Sequence, residues 1–250
     1  MSVACGLGPD ADTVLASLTE GRHSIRAVDR FDTSAHRAGE ACQMPFPVVL
    51  EEALAEAVRE ACRDAGLEIT DLEDTPLILA LHNDPDAARA GSAPVLGGTA
   101  AATAAACGFG GPLRTYTNAC VASVSALIDA AEGILRGRWT RAVVAGAYLV
   151  TPDDFALFDV GGALAADGRV RPFSRGRTGV LLGDGVSAVV LERPEARPEA
   201  APRALLEGWA QTGDAHHVSR PDPSGHGMAR AIDAALTRAG VEPDSLSYVN

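Results

Sequence analysis

The chain contains no lysine, so all 21 of its Lys-or-Arg side chains are arginine. An enzyme that works through a Schiff-base lysine is excluded on these 250 residues, and so is a Walker A phosphate loop. Positive charge is also the minority sign. The net charge is −12 and the sequence pI about 4.9, which argues against a nucleic-acid-binding surface, since that would need a basic face. Cysteine is sparse and irregularly placed, at positions 5, 42, 62, 107 and 120, with no Cys-x-x-Cys and no zinc spacing. Neither a disulfide framework nor a metal site is expected, and the odd count fits a reducing cytoplasm. No uncharged apolar run approaches ~20 residues, so no membrane span is expected. The N-terminus shows no basic segment followed by an apolar one, the mark of a signal peptide. Gly183-Asp184-Gly185 lacks the Gly-x-Gly-x-x-Gly spacing of a dinucleotide site and predicts a tight turn into a strand at 186–191. No short-period repeat is visible.

What the chain does have is apolar surface, 47% of residues, enough for a substantial core. Asp10 to Gly21 reads as a short helix. Between Val48 and Gly66, Leu50, Ala53, Leu54, Ala57, Val58, Ala61, Cys62 and Ala65 form one helical stripe, with charge on the other faces. Pro76 to Leu81 reads as a short strand, and Gly98 to Ala106 as a small-residue helix. Arg141 to Ala147 suits a strand buried on both faces, and Val186 to Leu191 is another. A connector rich in Pro, Glu, Arg and Ala follows. Then come a strand over 204–210 and a helix over 227–240. This alternation predicts a layered α/β fold with a mostly parallel central sheet.

The most informative residue is Cys120, in Thr117-Asn118-Ala119-Cys120-Val121-Ala122-Ser123. Upstream, 112–117 reads as extended. Downstream, Val121, Val124, Leu127, Ile128, Ala131, Ile134 and Leu135 recur at helical spacing until Gly137. The thiol is thus expected at a helix N-terminus, where unpaired N–H groups and the helix dipole favour a thiolate nucleophile. The competing reading is a small buried hydrophobe. Cys62 and Cys107 lie in helical stripes and read as packing.

The Cys120 run resembles the nucleophile motif of the β-ketoacyl synthases, the condensing enzymes of fatty-acid and polyketide synthesis. Three further stretches are similar to that family in its order: Arg171-Pro172-Phe173 through Gly183-Asp184-Gly185, Asp214-Ala215-His216-His217-Val218-Ser219-Arg220-Pro221, and Asp244-Ser245-Leu246-Ser247-Tyr248-Val249-Asn250. The resemblance implies a thiolase-like fold of layers αβαβα. Residues 1–193 would form its first half, 194–203 a connector, and 204–250 the opening of its second half. It implies Cys120 as the catalytic nucleophile and places Phe158, His217 and Ser219 at the substrate channel. For Phe158 and His217 a structural role is an equal alternative.

By the same resemblance, Cys120 takes an acyl group from acyl carrier protein, and malonyl carrier protein then loses CO2 and attacks the thioester in a Claisen condensation. No cofactor is implied beyond the phosphopantetheine of the carrier. The expected partners are acyl carrier protein and, in a dimer, a second copy or a related synthase subunit. Relative to the family both ends look cut. Met1 to Gly8 resembles the turn after its first strand, and Asn250 falls just before its first catalytic histidine. Condensation by this chain alone is therefore not expected. The alternatives are a non-condensing acyl transferase and a non-catalytic partner subunit, and the presence of Cys120 argues against the latter.

Overall fold

The computed structural model describes residues 1–45, 48–82, 96–217 and 220–249. The chain divides into two units, Met1–Glu192 and Arg193–Asn250. In the first, β1 (Ser2–Cys5) leads to α1 (Ala11–Thr19), capped by the Asp10 carboxylate. β2 (Ile25–Ala27) and β3 (Glu40–Cys42) form a small antiparallel pair. Then follow α2 (Leu50–Asp64), β4 (Leu77–Leu81), α3 (Leu96–Cys107), β5 (Leu113–Tyr116), α4 (Ala122–Leu135), β6 (Arg141–Tyr148), α5 (Pro152–Val160) and β7 (Gly185–Glu192).

The main sheet has the order β1-β7-β6-β4-β5. β4 runs parallel to β5 and to β6, whereas β7 is antiparallel to both β6 and β1. The sheet is therefore mixed and not mostly parallel. Residues 1–8, read as a turn beyond a strand, instead supply β1, closed by a tight turn in which Cys5 and Gly8 exchange backbone hydrogen bonds.

Every residue of β4 is buried. Alternation along a strand sends successive side chains to opposite faces. Leu77, Leu79 and Leu81 accordingly join the core beneath α2 and α3, while Ile78 and Ala80 join the core beneath α4. The α2 stripe is buried as its periodicity requires, through Leu54, Ala57, Val58, Ala61 and Cys62. α4 departs from expectation. It buries Ala122, Ser125, Ala126, Ala130, Ala131, Gly133 and Ile134, and leaves Val124 47% and Leu135 57% exposed. The cause is close approach. The Trp139 ring lies so near Gly133 that no Cβ fits there, and the Arg114 and Arg138 guanidinium groups stack on the same ring. Val124 and Leu135 are displaced to the outer face, while Ile134 stays buried and Leu127 packs against the core as the spacing predicts.

In the second unit, α6 (His226–Ala239) is closed by Gly240 with φ 66°. Residues 204–210 form no strand. This stretch packs on α6, with Gly208 against the Ala235 carbonyl and Arg238 4.6 Å over the Trp209 ring. Extended residues count as a strand only when their N–H and C=O groups meet a ladder partner, and the described residues supply none. The same holds for 246–249, which follow a single turn at Pro243–Ser245 and leave Tyr248 80% exposed.

Candidate active site

β4, β5 and β6 all end at one edge of the sheet. Open α/β sheets bind ligands outside the carboxyl ends of their parallel strands. Cys120 follows β5 at this edge. It sits in a single 3-10 turn, Ala119–Val121, and α4 begins only at Ala122. The thiol therefore stands just ahead of the helix, not inside its first turn. Ala119 has φ 55°. A left-handed alanine costs on the order of 1–3 kcal/mol, and such residues gather at functional sites because they bend the chain where no relaxed conformation would. The bend is held by the Asn118 side-chain amide donating to Ser125 Oγ at 2.8 Å and by the Ala122 N–H donating to the Ala119 carbonyl. Residues 117–121 are all exposed, and among the described residues the Cys120 thiol makes no hydrogen bond. The residue at the N-cap of α4, Val121, has no side chain that could cap the helix.

The other thiols differ. Burial, reinforced by Cys107 nearby, pushes the Cys62 thiol up to about 11. Cys107 is also raised by burial, and its Sγ donates to the Ala55 carbonyl at 3.4 Å. Cys42 is raised by burial as well. These environments hold the thiol protonated and packed, the opposite of what a nucleophile requires.

A pocket lies at the ends of β4 and β6, lined by His82, Tyr148, Leu149, Thr151 and Asp154, with Leu50 from α2. The His82 and Tyr148 rings are 5.6 Å apart. Burial, with the Asp154 carboxylate beside it, pushes the Tyr148 phenol far above its ordinary range. Thr151 caps α5 by accepting the Asp154 N–H at 3.2 Å, ahead of Pro152. Sequence reasoning missed this pocket. Its only local signal was the Thr-Pro-Asp-Asp start of a helix.

The Gly183-Asp184-Gly185 run makes no turn: it pairs parallel with Cys42 and continues into β7, and its Asp184 is a structural hub. Its fully buried carboxylate accepts from Arg30 at 2.7 and 2.8 Å and from the backbone N–H groups of Met44 and Val150 at 2.8 Å each. It ties the ends of β3 and β6 to the start of β7. Asp159 plays a similar part on α5. The Arg37 backbone N–H, the Arg37 guanidinium and the His36 imidazole hold its carboxyl below the usual range. His36 also meets the Phe155 ring edge-on.

Phe158 is half-buried against the cluster of Phe155, Val150, Leu164 and Leu182 in the first unit. His217 belongs to the second unit, and Ser219 lies outside the described residues. Among the described residues no group of His, Cys, Asp and Glu could hold a metal ion. No described helix is long and apolar enough to cross a membrane.

The family model for the N-terminal domain of β-ketoacyl synthases matches residues 48–197, and that for the C-terminal domain matches residues 203–250. The chain belongs to the β-ketoacyl synthase family. It is 31% identical over 150 residues to a 3-oxoacyl-[acyl-carrier-protein] synthase 2 of Staphylococcus aureus, an alignment covering 57% of this chain and 37% of that protein. It is 29% identical over 260 residues to the synthase 2 of Synechocystis sp., covering 99% of this chain and 62% of that one. The chain thus spans between about a third and three fifths of these relatives. Among solved structures it is similar to the ishigamide ketosynthase/chain length factor, with 27% identity, a TM-score of 0.80, and coverage of 98% of this chain and 70% of that one. A ketosynthase of the bacillaene synthase of Bacillus subtilis 168 superposes with a TM-score of 0.86 at 19% identity, over 100% of this chain and 49% of that one. The fold is the thiolase-like α/β fold of the ketosynthases.

Proposed function

We propose that Cys120 is the acyl-accepting nucleophile of a β-ketoacyl synthase, serving fatty-acid or polyketide synthesis in the cytoplasm. The observation that carries this reading is the exposed thiol on the left-handed bend between β5 and α4, at the carboxyl edge of the sheet. In the reaction, the Cys120 sulfur attacks the carbonyl of a carrier-bound acyl thioester. The acyl–sulfur bond to the carrier breaks, the carrier thiol leaves with the proton, and the acyl group rests on Cys120. Malonyl carrier protein then loses CO2, and its carbanion attacks the Cys120 thioester carbonyl: the new carbon–carbon bond forms, the acyl–sulfur bond to Cys120 breaks, the Cys120 sulfur leaves and regains a proton, and the β-ketoacyl product stays on the carrier. That second step also needs donors at the malonyl thioester oxygen, worth roughly 10²–10³ in rate each. No resident cofactor is required, because phosphopantetheine travels with the substrate. Assembly with a second copy or a related subunit is supported by β5, an edge strand, and by exposed Leu113, Val121 and Val124 beside it.

The test is incubation of the purified chain with an acyl thioester, followed by peptide mapping. An acyl group on the peptide holding Cys120, lost in Cys120→Ala, is the expected result. Labelling of Cys5 or Cys42 with Cys120 untouched would overturn the assignment.

A further inference from the structure

Two half-buried cysteines meet at the start of β7. Cys5, the last residue of β1, pairs antiparallel with Gly185. Cys42, the last residue of β3, pairs parallel with Gly183. Its N–H donates to the Leu182 carbonyl and its carbonyl accepts the Asp184 N–H, both at 2.9 Å. The two cysteines lie along one edge of this strand. The Cys5 N–H and carbonyl are spent on Gly8, so β1 meets β7 through Ala4, opposite Val186. Val186 and Asp184 are two positions apart, and alternate residues of a strand send their N–H and C=O groups to the same side. Alternation also sets where the thiols point. Residues directly opposite each other share a face, and Gly183 and Gly185 share theirs. The two thiols therefore leave one face, two residues or about 6.6 Å apart along β7. Disulfides join Cα atoms about 4.4–6.8 Å apart.

The surroundings agree with this register. Gly183 and Gly185 put no side chain beside the thiols. A Cβ on Gly183 would stand 3.2 Å from the Cys42 Cβ, and among the described residues nothing lies within 4 Å of one on Gly185. Gly6, next to Cys5, lies against Ser24 and against the carbonyl of Gln43, next to Cys42. Burial raises the Cys42 thiol, a hydrogen bond with Ser24 opposes this, and the neighbouring Cys5 thiol adds to the rise. The other thiols are placed differently. Cys62 and Cys107 are buried in the core beneath α2 and α3. Cys120 follows β5, at the opposite edge of the sheet from β1, four strand spacings or about 19 Å away.

We propose that Cys5 and Cys42 are a redox modification site, converted by a small disulfide such as oxidised glutathione into an internal disulfide that fastens β1 to β3 across the start of β7. The Cys5 thiolate attacks one sulfur of the oxidant. The oxidant's S–S bond breaks, and one glutathione leaves as a thiol with the proton that Cys5 gave up. Cys42 then attacks the Cys5 sulfur, loses its own proton and expels the second glutathione as a thiol. Two protein thiols are oxidised, and one disulfide is reduced to two thiols. Burial makes Cys42 a poor nucleophile toward a dissolved reagent, but its step is intramolecular, where proximity compensates. The bridge spans Asp184, whose carboxylate already holds Arg30, Met44 and Val150 from the other face. Oxidation thus adds a covalent tie where hydrogen bonds join β3, β6 and β7. None of these steps depends on the role of Cys120.

The experiment treats the folded full chain, and its Cys120→Ala variant, with oxidised glutathione. Remaining thiols are then alkylated, and the peptides are mapped by mass spectrometry without reduction. The expected result in both proteins is one peptide pair joined through Cys5 and Cys42, with Cys62 and Cys107 alkylated. The Tm should rise by about 5–10 °C, the scale expected for closing a long loop, and fall back on addition of dithiothreitol. Cys5→Ser and Cys42→Ser should each keep the wild-type circular dichroism spectrum, lose the Tm rise and carry glutathione on the cysteine that remains. Should either variant fail to fold, the joined peptide from the unsubstituted chain decides the matter alone. Glutathione on Cys5 and Cys42 separately, with no link between them, would overturn the proposal. So would a link from either one to Cys62, Cys107 or Cys120, or free thiols at both positions after Cys120 has reacted. A doubled mass that reductant abolishes would place the bond between two chains and refute the internal bridge. A link that leaves the Tm unchanged would refute the fastening of β1 to β3.

Discussion

Two amphipathic helices of similar length, α2 and α6, end in opposite circumstances. α2 buries Leu54, Val58 and Ala61 completely between the sheet and α3. α6 leaves Met228 71% and Ile232 46% exposed and buries only Gly227. Both sequences carry the same kind of apolar stripe. Periodicity tells which face of a helix is apolar, but what covers that face is decided by elements far away in sequence. The three core clusters all lie within Met1–Glu192. The first unit therefore holds its elements by burial. The second, among its described residues, is held by local devices: the glycine cap, the Arg238–Trp209 stack and the Thr212 hydroxyl donating to the Gly227 carbonyl at 2.6 Å.

The largest effect that sharpens this contrast comes from Asp184. Asp184→Ala would strand Arg30 and two buried N–H groups at the junction of β3, β6 and β7. Breaking a buried ion pair by removing one partner typically costs about 3–5 kcal/mol. Urea unfolding followed by circular dichroism should show the midpoint falling sharply. A loss below about 1 kcal/mol would mean that the hub is not what joins these strands.

Next is Leu54→Ala on α2. Leu54 is fully buried, and truncating such a residue costs about 2–5 kcal/mol through lost transfer energy and the cavity left behind. A loss well under that range would place the apolar face of α2 outside the core and erase its difference from α6.

A smaller effect is expected at Asp159, whose carboxyl is held below its ordinary value of 3.8 by the Arg37 N–H first and then by charge. A carboxyl lowered in the folded state contributes stability that is present above the ordinary value and lost as pH falls through the folded-state one. Asp159→Asn should therefore lower the Tm at pH 6, and the gap to wild type should close below pH 4. A gap that is constant across this range would assign the effect to packing.

Most of the frame was legible because it follows local rules. The α2 stripe, the buried run of β6, the Asp10 cap and the glycine stops at Gly66, Gly137 and Gly240 all act through neighbours in sequence. β1 and the pair β2–β3 were not legible, because strands of three or four residues carry no periodicity. Neither was the buried face of α4. Of its expected stripe, Ala131 and Ile134 are buried and Leu127 packs on the core, but Val124 and Leu135 are exposed because Trp139 and the sheet press on Gly133 and the alanines, a constraint that no helical wheel contains. The candidate site divides the same way. Cys120 stood out through its position between an extended segment and a helix. Its bend at Ala119 was invisible, since nothing in an alanine announces a positive φ. The pocket between His82, Tyr148 and Asp154 gathers residues from two strands and a helix cap, so only the parallel register of β4 with β6 brings it together.

The smallest effect is the one that most directly tests the contrast between α2 and α6. Ile232→Ala removes apolar surface that is 46% exposed, so little transfer energy is at stake. In exchange it replaces a β-branched residue with the best helix former, a gain of a few tenths of a kcal/mol inside a helix. The two terms oppose each other, and the expected change is within about 0.5 kcal/mol of zero, as for other surface substitutions. The measurement is the urea midpoint of Ile232→Ala beside Leu54→Ala under one buffer. If Ile232→Ala costs as much as Leu54→Ala, then α6 is covered in solution as fully as α2. The difference between the two units would then vanish, and the apolar face of α6 would have to be counted as core.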